Sequence, residues 1–143
     1  MFYKNIKPID YQEIQRFANI YGFPYDDSLI DAFYNINGGK PVGFSFMYDC
    51  GNDELIVSNI KRLLSFSTDD SDNIEEGFDA IGDNSGNIIP FALDDDDNYL
   101  CYYNIDNEES IKLFCVDNGE YYDIYSDKNE PYTPYSFFAD LCC

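Results

Sequence analysis

Carboxylates are the residues of this sequence that could carry chemistry. They fall into two groups, which comprise Asp69, Asp70, Asp72, Glu75 and Glu76, and then Asp94, Asp95, Asp96 and Asp97. Carboxylate oxygens bind Ca2+, but an EF-hand loop also needs Gly at its sixth position and Glu at its twelfth. Counted from Asp94, these positions hold Tyr99 and Ile105. Counting from Asp83 places Gly86 at the fourth position, so neither register fits, and weak binding of divalent cations stays open beside a solvated acidic surface.

Enzymatic chemistry finds little support in the remaining residues. The chain has no histidine, which excludes Ser–His and Cys–His nucleophile pairs and histidine-ligated zinc. Paired carboxylates could perform acid–base catalysis, as in glycoside hydrolases. With 28 acidic residues such pairs arise by chance, and no apolar environment marks one that would have a raised pKa. We therefore predict a protein that is not an enzyme and that needs no cofactor or metal ion.

The cysteines and the first residues indicate a cellular location. The five cysteines are Cys50, Cys101, Cys115, Cys142 and Cys143. Their number is odd, they form no CxxC pair, and residues 1–10 lack the apolar core of a secretory signal. No apolar run reaches the length of a membrane helix. Reduced thiols in a cytoplasmic protein are the expectation.

Charge is concentrated in the middle of the chain. The 143 residues include 28 acids and 8 Lys/Arg, for a formal net charge of −20. Residues 63–111 contain 14 acids and no base, whereas residues 1–62 contain 8 acids and 6 bases. This charge repels nucleic acids and anionic membranes, and it attracts basic proteins. Halophilic adaptation is the competing explanation, but it would be expected to acidify residues 1–62 as well.

Tyrosines accompany the acids. The chain has 14 of them, and Tyr99 and Tyr103 follow the aspartate run directly. Tyr beside carboxylate suits a protein interface, in which the ring supplies contact area and the acid supplies electrostatic attraction. The alternative is that these tyrosines are ordinary residues of a half-buried strand, with Tyr99, Cys101 and Tyr103 on one face. Leu100 and Tyr102 would then lie on the other face.

Helical periodicity appears at both ends of the chain. The first apolar pattern comprises Tyr11, Ile14, Phe17, Ala18 and Tyr21, and Gly22 and Pro24 end it. A second helix is predicted from about Pro24 or Asp26 to the Gly38-Gly39 pair, with Leu29, Ile30, Phe33 and Tyr34 as its buried residues. The last helix has Thr133 as N-cap, Pro134 as first residue, and Phe137, Phe138 and Leu141 as its apolar face.

Between these helices the apolar period changes to that of strands. Strands are predicted at residues 42–48, 55–57, 60–66, 88–93, 99–103, 111–116 and 120–125. Residues 94–98 are expected to form a hairpin connection, and residues 69–77 an acidic loop with room for a helical turn. The order predicts an α+β fold, with an antiparallel sheet of about five to seven strands flanked by N-terminal helices and a C-terminal helix. Residues 1–143 are expected to form one domain.

Several short motifs occur in a fixed order along the chain. They are FPY at 23–25, NGG at 37–39, IPFA at 89–92, YLCY at 99–102 and YSFFADL at 135–141. Over about residues 10–143 these motifs resemble the SUKH superfamily, also called the Smi/Knr-like domains. Family members usually have Gly in the turn where this chain has Asp96 and Asp97, and often a Trp that this chain lacks.

The resemblance implies an α+β domain without catalytic residues. In bacteria such domains commonly act as immunity proteins that bind and block a cognate toxin, often a nuclease. A nuclease attracts phosphate and tends to be basic, so an acidic inhibitor is physically sensible. The two acidic groups, with Tyr99 and Tyr103 as aromatic anchors, are therefore expected to contact a basic toxin, with the protein a monomer or weak dimer. The alternative is a regulatory, scaffolding interaction module like the fungal members.

Overall fold

Eight strands and four helices make up the part of the chain that the computed structural model describes, residues 2–21, 27–51, 54–83 and 85–142. The helices are α1 (Tyr11–Tyr21), α2 (Asp27–Ile36), α3 (Ile74–Ile81) and α4 (Pro134–Cys142). The strands are β1 (Tyr3–Lys4), β2 (Lys40–Pro41), β3 (Ser45–Asp49), β4 (Leu55–Leu63), β5 (Ile88–Asp94), β6 (Tyr99–Ile105), β7 (Glu108–Cys115) and β8 (Glu120–Tyr125). Within these described ranges, no helix is long and apolar enough to cross a membrane.

Strands β3 to β8 form one antiparallel sheet, in which each strand pairs with the next along the chain. The sheet closes on itself because β8 also pairs with β3, where Met47 lies opposite Tyr125 and Tyr48 opposite Ile124. Strands β1 and β2 form a separate antiparallel pair. The predicted α+β class is confirmed, and the main sheet has six strands.

The closed sheet has two different ends. Because neighbouring strands run in opposite directions, β3, β5 and β7 end where β4, β6 and β8 begin. This end carries the β5–β6 and β7–β8 turns at residues 95–98 and 116–119, and we call it the turn end. Helices α2 and α4 pack at the opposite end, which we call the helical end.

Aromatic side chains fill the core at the helical end. Phe137 of α4 is fully buried, and its ring centroid lies 5.4 Å from that of Phe44 and 5.7 Å from that of Phe91. Phe33 of α2 lies 6.4 Å from Phe91 and 5.9 Å from Phe138. Burying each such ring contributes roughly 1.5–3 kcal/mol, and the edge-to-face geometry adds to it. The helical end therefore supplies much of the packing that stabilises the fold.

The N-terminal helices follow the predicted spacing with one exception. The predicted core residues that are buried are Ile14, Ala18, Ile30 and Phe33. Tyr34 was predicted to belong to this set, but 38% of it is exposed, and its ring meets Tyr11 edge-on at 5.3 Å on the surface. That prediction is wrong because one position beyond Phe33 is already a third of a turn away from the core. Gly22, Pro24, Asp26 and the side chains of Tyr21 and Leu29 lie outside the described residues.

Helix α3 begins inside residues 69–77, where an acidic loop containing a helical turn was allowed for, but it continues beyond that segment to Ile81. Asn73 caps the helix, since its side-chain oxygen accepts a 3.0 Å hydrogen bond from the amide of Glu76. Gly82 ends the helix in the left-handed conformation, at φ 72°. A Cβ atom on Gly77 would lie only 2.9 Å from Pro90, so the glycine lets α3 approach β5 closely. The acidic composition obscured this packing face in the sequence.

Two strand predictions at the start of the sheet also need correction. Residues 55–57 and 60–66 contribute to a single strand, β4, whose pairing with β5 shifts between Ile60 and Arg62. Such a bulge interrupts the alternation that identifies a strand. Residues 42–48 are not one strand, because the chain turns at Gly43 (φ 78°) and leaves Val42 47% exposed. The four later strands match their predicted ranges to within three residues.

The C-terminal helix confirms its prediction. Thr133 Oγ1 accepts a 3.0 Å hydrogen bond from the amide of Ser136, as an N-cap does. Pro134 is the first helical residue. The buried residues of this helix are Phe137, Phe138 and Leu141.

Candidate functional site

Tyr99 lies where the two acidic groups meet. It is the first residue of β6, and its side chain is half-buried. Burial raises the pKa of its hydroxyl, and the carboxylates of Glu76, Asp72 and Asp97 raise this pKa further. These three acids come from two separate segments of the chain, the start of α3 and the β5–β6 turn. Members of both predicted groups therefore lie near enough to Tyr99 to raise its pKa.

Several acids of the first group also hold the segment before α3 in place. Asp70 accepts a 2.7 Å hydrogen bond from Ser65 Oγ, and Asp72 pairs with Arg62 at 3.0 Å. Glu76 accepts a 3.2 Å hydrogen bond from the capping residue Asn73. The remaining members, Asp69 and Glu75, have exposed side chains. Part of this group is therefore structural, and part faces solvent.

The second group forms the β5–β6 turn. Asp95, Asp96 and Asp97 are all exposed. Asp97 pairs with Lys61 of β4 at 2.9 Å, and its hydrogen bond and charge raise the pKa of that lysine. Asp97 also has φ 61°, in the left-handed region of backbone conformation, which glycine adopts with the least strain. Aspartate tolerates this conformation better than most residues, which accounts for a turn without the usual glycine.

Asp94 differs from the other three aspartates of the run. It belongs to β5 and is fully buried, so the expectation that its carboxylate faces a partner is wrong. Its carboxylate accepts hydrogen bonds from the amides of Asn98 at 2.8 Å and Asp96 at 3.0 Å, and from Ser58 Oγ at 3.0 Å. Burial raises the pKa of Asp94, while these hydrogen bonds oppose the rise. Asp94 therefore stabilises the conformation of the turn through hydrogen bonds made from inside the protein.

Tyr103 lies away from the acidic groups. Its ring has Lys112 Nζ above it at 5.2 Å, and it contacts the ring of Tyr121 at 5.4 Å. It packs with the apolar cluster of Ile88, Cys101 and Phe114 on the outer face of the sheet. The predicted alternation is seen, because Leu100 and Tyr102 are buried in the main core on the other face.

Sequence reasoning missed one acidic residue of this surface and one structural asparagine. Asp79 is exposed on α3 and extends the first acidic group; the helical spacing from Glu75 and Glu76 could have found it. Asn37, the first residue of the NGG motif, is almost fully buried. Its amide donates to Lys7 O at 2.9 Å and accepts from the amide of Phe66 at 2.9 Å. The motif is thus a junction between distant segments as well as a helix end.

The arrangement offers charge and aromatic area. Among the described side chains, no group of three or more His, Cys, Asp or Glu residues is placed to hold a metal ion. Cys50, Cys101 and Cys115 are free thiols. An exposed acidic surface beside a half-buried tyrosine is suited to attract and contact a positively charged protein.

Comparison with known families identifies the chain. The sequence profile of the SMI1/KNR4 family (SUKH-1) matches residues 8–131. The chain belongs to the SMI1/KNR4 family. Domains of this family are generally non-catalytic regulatory modules and often immunity proteins. No curated protein and no solved structure matches this SMI1/KNR4 chain.

The family motifs take structural positions in this SMI1/KNR4 domain. The IPFA motif at 89–92 lies in β5, and all of its residues are buried. The YLCY motif at 99–102 starts β6, beside the acidic turn. The FPY motif at 23–25 lies outside the described residues. The IPFA and YLCY motifs thus build the two strands that the acidic turn connects.

Proposed function

We propose that this protein is an immunity protein that binds and neutralises a cognate bacterial toxin. The observation that carries the proposal is the convergence of Glu76, Asp72 and Asp97 near Tyr99, in a member of a family that often provides immunity. The proposed contact surface consists of the exposed acids of the two groups, which are Asp69, Glu75, Glu76, Asp95, Asp96 and Asp97. Asp70 and Asp72 would contribute at its edges.

The charge of the protein supports a basic partner. At a net charge of −20 the compact state repels itself, so the charge is a cost that a use should offset. A positively charged toxin would be drawn to this surface, with association rates up to about 10⁸–10⁹ M⁻¹s⁻¹ at low salt. A nuclease is the toxin class that fits best, because its active site must attract phosphate.

Neutralisation would need no chemistry from the immunity protein. In the bound state the acidic surface would cover the active site of the toxin, or a site beside it, and exclude the nucleic-acid substrate. Such inhibition is stoichiometric, and it ends when the complex dissociates. The protein would act in the cytoplasm, where the toxin would meet its substrate.

Co-expression with the neighbouring open reading frame tests this function. We expect a tagged form of the protein to recover one basic partner at about 1:1, with the toxic activity lost in the complex. Recovery of only abundant cellular proteins at low stoichiometry would contradict immunity and favour a regulatory module.

Charge reversal tests the proposed surface itself. The double variant Asp95→Lys/Asp96→Lys should slow association with the recovered partner about tenfold at low salt and flatten the salt dependence. The matched control is Glu13→Lys/Glu108→Lys, which changes the net charge by the same amount at exposed positions on α1 and β7. Stopped-flow association rates measure both. Equal rates for the two double variants would show that this turn does not face the partner.

A further inference from the structure

An apolar row crosses the outer face of β3, β4 and β8. The strand register places Met47 opposite both Val57 and Tyr125, so these three side chains lie side by side. They face outward, since a residue adjacent to each of them in its strand is buried, namely Phe46, Ser58 and Ile124. Val57 is 65% exposed, and Met47 and Tyr125 are half-buried. We call these three residues the apolar row.

The opposite side of the sheet shows what usually covers such a face. There, Ile88, Cys101 and Phe114 form an outward cluster, and Ile81 of α3 packs against it. Helix α3 lies against β5. In the apolar row, in contrast, the side chain of Val57 is largely exposed to solvent.

Carboxylates flank the apolar row, and one of them, Asp123, pairs with Lys112 at 2.6 Å. Asp49 follows Met47 by two positions and shares its face, and Asp123 precedes Tyr125 in the same way. Asp95 donates its amide to Asn59 O at 3.1 Å, and Asn59 lies two positions after Val57. An apolar centre with a charged rim is the usual anatomy of a protein interface.

We propose that the apolar row is the contact centre for a positively charged protein partner, which buries an apolar side chain against Val57. The charge selects this occupant, because a second copy of the chain would bring two surfaces of −20 together. The inference builds on the proposed function by naming where the partner sits. It extends the acidic surface around Tyr99 across the β5–β6 turn to the apolar row.

The two parts of this surface should act on different rates. Exposed acids attract the partner over a distance, so they govern association. Burial of the apolar row takes place only in the final complex, so it governs dissociation. A change at Val57 should therefore leave the association rate unchanged and raise the dissociation rate.

A photo-cross-linking amino acid at position 57 tests the contact directly in the cell of origin. The matched control is the same amino acid at position 20, because Ile20 is 66% exposed but lies on α1. We expect position 57, and not position 20, to cross-link one protein that mass spectrometry identifies and whose sequence carries net positive charge. Cross-linking to a second copy of this chain, to an acidic protein or to nothing would overturn the proposal.

The kinetic test uses the partner that cross-linking identifies, purified in its free form. Its binding to the variants Val57→Ser and Ile20→Ser is compared with its binding to the unmodified protein. Loss of one buried valine should raise the dissociation rate about tenfold, whereas Ile20→Ser should not change it. Thermal unfolding should show that both variants are folded, since both side chains are exposed. An unchanged dissociation rate for Val57→Ser would overturn the contact.

These outcomes separate the inference from the proposed function. If a basic partner binds through Val57 but is not a toxin, the contact stands and immunity fails. If a toxin is neutralised and Val57→Ser binds it as tightly as the unmodified protein, immunity stands and the contact fails.

Discussion

The two ends of the closed sheet differ in what their residues do. At the helical end, Phe33, Phe91 and Phe137 are almost completely buried, and the ring of Phe91 contacts the other two. At the turn end, Asp95 and Asp96 are exposed. Packing free energy is concentrated at one end, and the charge available to a partner at the other. Stability and recognition can therefore be altered separately in this molecule.

The turn end nevertheless has its own structural requirement. Repulsion between neighbouring carboxylates favours an open turn, and Asp94 opposes this by accepting hydrogen bonds from the amides of Asp96 and Asn98. Asn98 in turn accepts a 3.0 Å hydrogen bond from the amide of Val116, which links the two turns. One buried carboxylate thus orders the surface that its exposed neighbours form.

The largest effect is expected at the helical end. Phe137→Ala should lower the free energy of unfolding by about 3–5 kcal/mol, because it leaves a cavity among several aromatic rings. Tyr135→Ala is the control in the same helix, since Tyr135 is 86% exposed, and its effect should stay within about 0.5 kcal/mol. Urea denaturation measures both. Similar losses for the two variants would contradict the concentration of packing at this end.

A smaller loss of stability is expected from the buried carboxylate of the turn end. Asp94→Ala removes the acceptor for Ser58 Oγ and for the amides of Asp96 and Asn98, which should cost about 2–3 kcal/mol. Asp95→Ala, at the next and exposed position, should change the free energy of unfolding by less than about 0.5 kcal/mol. Equal effects in urea denaturation would mean that Asp94 does not order the turn.

The smallest effect is a dependence of stability on pH. Burial raises the pKa of Asp94 above that of an aspartate in the unfolded chain, so the native state holds this proton more tightly. The resulting stabilisation is complete below the unfolded pKa and is lost as pH rises through the folded pKa. The free energy of unfolding of the unmodified protein, minus that of Asp94→Asn, should therefore be larger at about pH 3 than at pH 7.

Urea denaturation at the two pH values measures this change, and Asp95→Asn supplies the background from an exposed position. A difference between the unmodified protein and Asp94→Asn that is the same at both pH values would contradict the raised pKa.

The parts of the fold that the sequence predicted are those in which one local rule decides. Thr133 and Pro134 fix the start of α4, and the run from Ile88 to Leu93 is apolar because both faces of β5 are covered. The full length of helix α3 was missed because its exposed residues are acidic and its packing depends on Gly77, which has no side chain to show a pattern.

The sequence predicted which residues form the candidate surface, but it did not predict how they are arranged in space. Local sequence identified the acidic groups, but their meeting near Tyr99 depends on how α3 packs against β5. The burial of Asp94 depends on Ser58, which lies 36 positions earlier in the chain. Val57 was assigned to a strand, but its outward direction is seen only from the burial of its neighbour Ser58 inside the closed sheet.

The closed sheet has a consequence for how partners can change. Each of its six strands has a neighbour on both sides, so the sheet has no free edge strand. A binding protein therefore finds no strand of this sheet that is open along its whole length for pairing. Contact with this sheet is then made mainly by side chains, which can be replaced one at a time while the backbone stays the same. Substitutions of surface side chains can therefore change which protein is bound, rapidly between related genes, while the fold is kept.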